Sequence, residues 1–119
     1  MKSSVLFATL AVFTLSSTAA DAWTRIQTEA DFRDKVVGRT QTAEGLGHIT
    51  SAADGTVTGQ WQGNAVRGRW QWHDGYWCRN LIIGTHETGT NCLRLDIRGN
   101  QLRGRQDRGR GTETITTMN

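Results

Sequence analysis

The sequence predicts an all-β fold, a small antiparallel up-and-down β-barrel of about eight strands that is preceded by one short helix. Glycine is frequent and proline is absent, and turn dipeptides recur at roughly the 8–12-residue spacing that is typical of barrels and sandwiches. When these turns are used to set cross-strand pairs, the apolar residues of successive hairpins fall on one face of every strand. An antiparallel meander with one buried face closes well into a barrel.

Residues 1–22 have the order of a secretory signal peptide: Lys2 comes first, an apolar stretch spans 5–15, and an A-x-A cleavage site lies at 20–22. A membrane anchor would need roughly 20 apolar residues. The sequence therefore favours a cleaved leader, with no transmembrane segment after its removal. Residues 23–119 would then form a single barrel domain, which we expect in the periplasm or outside the cell.

The charge balance of the chain is weakly basic. It has 14 basic and 11 acidic residues, a net charge of +3. The leader contributes one of each sign, Lys2 and Asp21, so the exported part keeps the same net charge. Such a balance favours acidic partners only weakly and falls well short of a nucleic-acid-binding composition. We therefore expect no nucleic acid partner.

The exported part contains two cysteines, Cys78 and Cys92. An even pair in an exported protein usually forms a disulfide, and an oxidising compartment argues against two free thiols. A zinc site would need more ligands than these cysteines and the nearby His86 provide. The predicted disulfide closes a loop of roughly 15 residues, which stabilises the fold by about 3 kcal/mol.

One short helix is predicted over residues 29–37. Thr28 is a suitable N-cap, and acidic residues occupy the first turn. Phe32 and Val36 are four residues apart and therefore share one helical face. Gly38 is a natural C-terminal stop.

The predicted turns determine which residues pair across the β-hairpins, because a turn fixes the register of its two strands. Turns are predicted at 53–55, 63–64, 74–75 and 99–100, and Cys78 is set opposite Cys92. The resulting pairs are Ile49–Gly59, Ser51–Val57, Trp61–Val66, Gly59–Gly68, Val57–Trp70, Trp72–Trp77, Trp70–Arg79, Trp77–Leu93, Arg79–Asn91, Ile97–Leu102 and Leu95–Gly104.

These registers separate an inner, apolar face from an outer, polar face. Strands at 39–44 and 112–117 complete the count of about eight, and inner-face glycines make room for the tryptophan rings. We expect the interior to keep at most a small pocket. The inner face collects Ile49, Val57, Trp61, Val66, Trp70, Trp72, Trp77, Leu81, Leu93, Leu95, Ile97 and Leu102. The outer face collects Thr58, Gln60, Arg67, Arg69, Gln71, Arg94, Asp96, Arg103 and Arg105.

Arg79 is the one charged residue that these registers place on the inner face, opposite Asn91 and beside Trp70 and Trp77. A buried arginine without a partner is costly. These four residues are candidates for binding an anionic or aromatic ligand at the barrel mouth. In the alternative, Arg79 belongs to a structural cluster with Asn91 and a further polar residue, Gln106 or Glu113. The sequence favours the cluster, because buried polar networks usually satisfy themselves.

The C-terminal third of the chain is rich in arginine, and this basic surface is a candidate site for an acidic partner. The alternative is an ordinary solvated face. No aromatic residue is predicted among these charges, which argues against binding of single-stranded nucleic acid. The residues are Arg94, Arg103, Arg105, Arg108 and Arg110.

The three histidines, His48, His73 and His86, are scattered and do not predict a metal site. His86 and Glu87 are adjacent and could carry acid–base chemistry. No nucleophile with an orienting partner accompanies them, so we identify no catalytic residue.

Several motifs together carry a family resemblance: residues 54–59, 66–72, DGYWCR at 74–79, Cys92 and 107–111. The chain resembles a group of small, signal-bearing alphaproteobacterial proteins of unknown role, some of which carry the label dihydrodipicolinate reductase. The resemblance spans nearly the whole exported part and implies an architecture without an activity. That architecture is similar to avidin-like and lipocalin-like barrels.

The reductase label does not fit the residues. Such an enzyme binds a nicotinamide cofactor at a glycine-rich turn that opens a helix. In this chain the glycine-rich segment 108–111 precedes a strand pattern instead. We expect no cofactor.

The sequence therefore predicts a non-enzymatic binding protein of the cell envelope. Its partner would be a small anionic or aromatic ligand or another envelope protein, and an inhibitor-like role is included by analogy with other small disulfide-linked barrels. The alternative is a small periplasmic hydrolase or lyase. That alternative requires a pocket that joins His86 or His48 to a carboxylate with a perturbed pKa.

We predict that the leader is removed after Ala22, which leaves Trp23 at the N-terminus, or after Ala20, which leaves Asp21. N-terminal sequencing of protein isolated from the periplasm measures this directly. Intact Met1 on protein recovered from the cytoplasmic fraction would contradict the prediction.

Overall fold

A computed structural model describes residues 3–5, 8–12 and 22–119 of the chain. The predicted leader lies largely outside these residues. Within them, no helix is long and apolar enough to cross a membrane.

The fold is a closed antiparallel barrel of eight strands, as predicted, with one short extra strand at its N-terminal side. From β2 onward each strand pairs with the next, and β9 pairs with β2 to close the barrel. The strands are β1 Thr24–Arg25, β2 Thr40–Ala43, β3 Gly47–Ser51, β4 Thr56–Trp61, β5 Asn64–His73, β6 Tyr76–Ile83, β7 His86–Arg98, β8 Gln101–Arg105 and β9 Glu113–Met118. The helix, α1, spans Glu29–Lys35, and a tight turn at Gln106–Gly109 links β8 to β9.

The structure confirms every predicted pair except those that depend on the turn between β4 and β5. That turn consists of Gln62 and Gly63, both with positive φ, rather than residues 63–64. Two-residue hairpins favour glycine at the second central position, and Gly63 occupies it here. The observed pairs are Trp61–Asn64, Gly59–Val66 and Val57–Gly68. Because the register moves by two residues, every side chain keeps its predicted face.

Helix α1 begins as predicted and ends two residues earlier. The Thr28 side chain accepts a hydrogen bond from the backbone N–H of Asp31, which caps the first turn. Val36 has left the helical conformation but remains fully buried, as does Phe32. The apolar face of α1 therefore joins the barrel core.

Phe32 closes one end of the barrel by packing on inner-face tryptophans. Its ring centroid lies 4.8 Å from that of Trp70, 5.5 Å from that of Trp72 and 6.3 Å from that of Trp77. Ile26, which precedes the helix, is also fully buried in this core. The helix thus acts as a plug that shields this end of the interior from water.

The predicted inner face is confirmed as the apolar core, whereas the predicted outer face needs one correction. Asp96 lies on that face but is 1% exposed. The extra strand β1 is the reason, because it runs along the end of β7 with Arg25 opposite Asp96. A two-residue strand has no periodicity by which the sequence could reveal it.

Cys78 and Cys92 form the predicted disulfide, directly opposite each other on β6 and β7. Both are half-buried on the outer face of the barrel.

Replacing both cysteines with serine should lower the free energy of unfolding by about 2–4 kcal/mol, since the open chain gains conformational entropy when unfolded. Urea unfolding of the two proteins measures the change. Two titratable thiols in the native, air-handled protein would contradict the disulfide.

Candidate functional site

The interior of the barrel contains a cavity of about 240 Å³. Trp77 contributes to its wall and, on the core side, packs against Phe32 of the plug. The cavity therefore lies beyond the plug, towards the opposite end of the barrel. Its lining residues are Gln41, Ile49, Trp61, Val66, Trp77, Arg79, Leu81, Ile83, Thr88, Leu93, Leu95, Leu102, Gly104, Gln106, Thr114 and Thr116.

The two sides of the cavity differ in polarity. Strands β3 to β7 supply mainly apolar side chains, with Arg79 and Thr88 as the polar exceptions. The apolar residues are Ile49, Trp61, Val66, Trp77, Leu81, Ile83, Leu93 and Leu95. The opposite side of the cavity is more polar. It is formed by the neighbouring strands β8, β9 and β2 and by Gln106, which follows β8. These elements contribute Leu102, Gly104, Gln106, Thr114, Thr116 and Gln41. The interior therefore has an apolar wall and a polar wall.

Among the described residues that line the cavity, Arg79 is the one with a charge. It sits on β6 between Trp70 and Asn91, as the hairpin registers predicted, and its side chain is half-buried. Within the described part of the chain, its guanidinium makes neither a hydrogen bond nor an ion pair. Burial lowers the pKa of Arg79 from its ordinary value. An arginine nevertheless stays protonated at neutral pH, so the cavity contains a cation without a counter-charge.

The structural cluster that the sequence favoured for Arg79 does not form. Asn91 donates from Nδ2 to Oδ1 of Asp107 over 3.0 Å, and its own Oδ1 accepts the Asp107 backbone N–H over 2.9 Å. Glu113 pairs instead with Arg105, at 3.1 Å. Asn91 is drawn away because the loop after β8 folds back over β7, a path that the strand pattern does not reveal.

Two further polar groups face the interior without a partner. Trp77 is 5% exposed, and its Nε1–H is buried with no acceptor among the described residues. Gln41 is also 5% exposed, and its side-chain amide takes part in none of the hydrogen bonds found in the described residues. Together with Arg79, these groups offer donors on two sides of the cavity.

Of the four predicted ligand residues, Arg79 and Trp77 line the cavity, whereas Trp70 and Asn91 do not. Trp70 has a structural role: its Nε1–H donates to the Ala52 carbonyl over 2.9 Å. Trp70 and Arg79 also border a separate groove outside the barrel, beside α1. Gln41 was not predicted as a site residue, because polar residues occupy three successive positions of β2 and do not mark an inner face.

The arginines of the predicted basic surface all make contacts within the protein. Asp96 pairs with Arg94 at 3.2 Å and with Arg103 at 3.5 Å, and Arg105 pairs with Glu113. Arg110 donates from Nε to the carbonyl of Asp107, and Arg108 lies over the ring of Tyr76. Three of these five arginines therefore pair with two carboxylates, Asp96 and Glu113, and the surface keeps a surplus of positive charge.

The expectation that this surface lacks aromatic residues is wrong. The ring of Trp23 lies 4.3 Å from the guanidinium carbon of Arg98 and 4.5 Å from that of Arg103. Trp23 enters from the N-terminal segment, outside the hairpins from which the faces were deduced. Such stacking covers the two arginines and helps to hold the segment against the barrel.

None of the three histidines lines the cavity. His73 lies 3.1 Å from the carboxylate of Asp74 in the exposed turn after β5. His86 is exposed at the start of β7, and the neighbouring Glu87 accepts a hydrogen bond from Asn80 over 3.1 Å. His48 borders a shallow groove outside the barrel. The described residues contain no group of three His, Cys, Asp or Glu that could hold a metal ion.

No protein-family model matches the chain, and no curated protein or solved structure matches it. The cavity therefore has to be interpreted from its own chemistry. Its distinctive features are an uncompensated cation, two unpartnered polar groups and an apolar wall.

Arg79→Met should leave the free energy of unfolding within about 0.5 kcal/mol of the wild-type value or raise it, because no partner loses a contact. Asp96→Asn should lower it by about 2–3 kcal/mol, since Arg94 and Arg103 would lose their shared counter-charge. Thermal and urea unfolding of the two variants measure the contrast. If Arg79→Met unfolds as readily as Asp96→Asn, Arg79 has a structural role and the interpretation of the cavity fails.

Proposed function

We propose that this protein is an exported, non-enzymatic binding protein of the cell envelope whose barrel holds a small anionic ligand with an apolar body. The observation that carries the proposal is Arg79, a cation that lines an interior cavity with no acidic partner in the described part of the chain. A ligand carboxylate would supply the missing counter-charge.

The physical support is electrostatic. Arg79 is half-buried and has no counter-charge among the described residues, and a charge-assisted hydrogen bond is about twice as strong as a neutral one. The Trp77 Nε1–H provides a second unpartnered donor in the same lining. An anion bound between these groups would satisfy both, while its apolar body would contact the leucine and isoleucine side chains.

The cavity volume limits the size of the ligand. A dry cavity of about 150 Å³ is enough for one benzene molecule. In proportion, the 240 Å³ found here would hold about ten non-hydrogen atoms. This corresponds to a small organic acid rather than a long-chain lipid or a dinucleotide.

Export is the part of the proposal that rests on the sequence. Residues 1–22 have the pattern of a signal peptide. The Cys78–Cys92 disulfide fits a periplasmic or extracellular location, because disulfides persist in oxidising compartments.

Two alternatives receive less support. A hydrolase or lyase would need an acid–base pair in a pocket, and His48 and His86 lie outside the cavity lining. An acidic protein partner would have to compete with Asp96 and Glu113, which already pair with three of the arginines on the basic surface. The uniformly antiparallel sheet also lacks the βαβ unit of a nicotinamide-binding fold within the described residues.

We expect benzoate to bind in the cavity and to change the tryptophan fluorescence, since Trp61 and Trp77 line it. Arg79→Met should weaken benzoate binding by at least about tenfold, the loss of one charge-assisted interaction of about 1.5–3 kcal/mol. Isothermal titration calorimetry with benzoate and with uncharged benzyl alcohol measures the effect. Benzyl alcohol should not distinguish the wild type from Arg79→Met.

Arg67→Met is the matched control, because Arg67 is exposed on the outer face of β5 and its removal changes the net charge equally. It should bind benzoate as the wild type does. Equal weakening by both substitutions would indicate a general charge effect. Absence of binding for both benzoate and octanoate would refute the proposal.

A further inference from the structure

We infer that the ligand is a flat aromatic monocarboxylate that carries a second hydrogen-bonding group on the far side of its ring. This inference rests on the proposed function and deepens it by naming the ligand class. It depends on Gln41, whose role the proposed function does not use.

Gln41 lies directly across the barrel from Arg79. The strand order around the closed barrel is β6, β5, β4, β3, β2, β9, β8 and β7. Strand β2, which carries Gln41, is therefore separated from β6 by three strands in either direction. Both side chains line the same cavity, so the cation and the amide approach it from opposite walls.

The Gln41 amide has hydrogen-bonding capacity that the described residues do not use. The residue is 5% exposed, and its side chain makes no hydrogen bond among the described residues. The polar wall beside it adds Thr114 and Thr116, and the Thr116 hydroxyl makes only a long contact of 3.5 Å with the Leu102 carbonyl. This wall therefore retains hydrogen-bonding capacity for a polar group of the ligand.

The middle of the cavity is suited to a ring. Trp61 and Trp77 are both in the lining and offer aromatic surfaces, which pack well on another aromatic ring. A ring with a carboxylate and a hydroxyl group has about ten non-hydrogen atoms, the number that the volume allows. A straight-chain acid of the same size would place a methyl group against Gln41 and leave the amide unpaired.

The test compares benzoate, meta- and para-hydroxybenzoate and octanoate by calorimetry on the unaltered protein. We expect one of the hydroxybenzoates to bind about five- to tenfold more tightly than benzoate, the gain expected from one neutral hydrogen bond. Gln41→Met should abolish that difference. Gln60→Met, which replaces an exposed glutamine on the outer face of β4, should keep the difference.

The outcomes separate the two proposals. If benzoate or octanoate binds in an Arg79-dependent manner but neither hydroxyl group adds affinity, the inference is wrong and the proposed function stands. If octanoate binds more tightly than both hydroxybenzoates, the inference is likewise wrong and the proposed function stands. If no carboxylate binds, the proposed function fails and the inference fails with it. The comparison of ligands on the wild-type protein decides the matter even if Gln41→Met does not fold.

Discussion

The packing of Phe32 on three tryptophans is the contact on which the rest of the interior depends. It closes one end of the barrel and keeps water from the side of Trp77 that faces the core. Without this plug the barrel would be open at both ends. Because the plug is in place, Arg79 and Gln41 line a partly enclosed space in which hydrogen bonds and charges have larger effects.

The charges of the barrel are arranged differently on its two faces. On the outer face the almost fully buried Asp96 pairs with Arg94 and Arg103, and Glu113 pairs with Arg105. On the inner face the half-buried Arg79 has no carboxylate among the described residues. This contrast is what separates Arg79 from an ordinary structural arginine and supports a role in binding.

Much of the fold was predictable because turn chemistry and the two-residue periodicity of strands are local signals. Asp74-Gly75 alone set the register of Trp70, Trp72, Trp77 and Arg79, and all of these pairs are observed. The turn at Gln62-Gly63 was predicted one position too late in the chain. This error shifts the strand register by two residues, so every side chain stays on its predicted face and the face pattern could not reveal the error. The burial of Asp96 and the partner of Asn91 depended on β1 and on the loop after β8, which have no periodic pattern.

The site was predicted only in part, for a related reason. Its apolar wall comes from strands whose alternation is clear, whereas its polar wall comes from β2, β8 and β9, where polar residues occur on both faces. A buried glutamine and an unpaired arginine break the local rules for a stable core. A domain this small has little stability to spare, so such departures are expected mainly at functional positions. A ligand that satisfies both groups would stabilise the protein, because any molecule that binds only the folded state raises the free energy of unfolding.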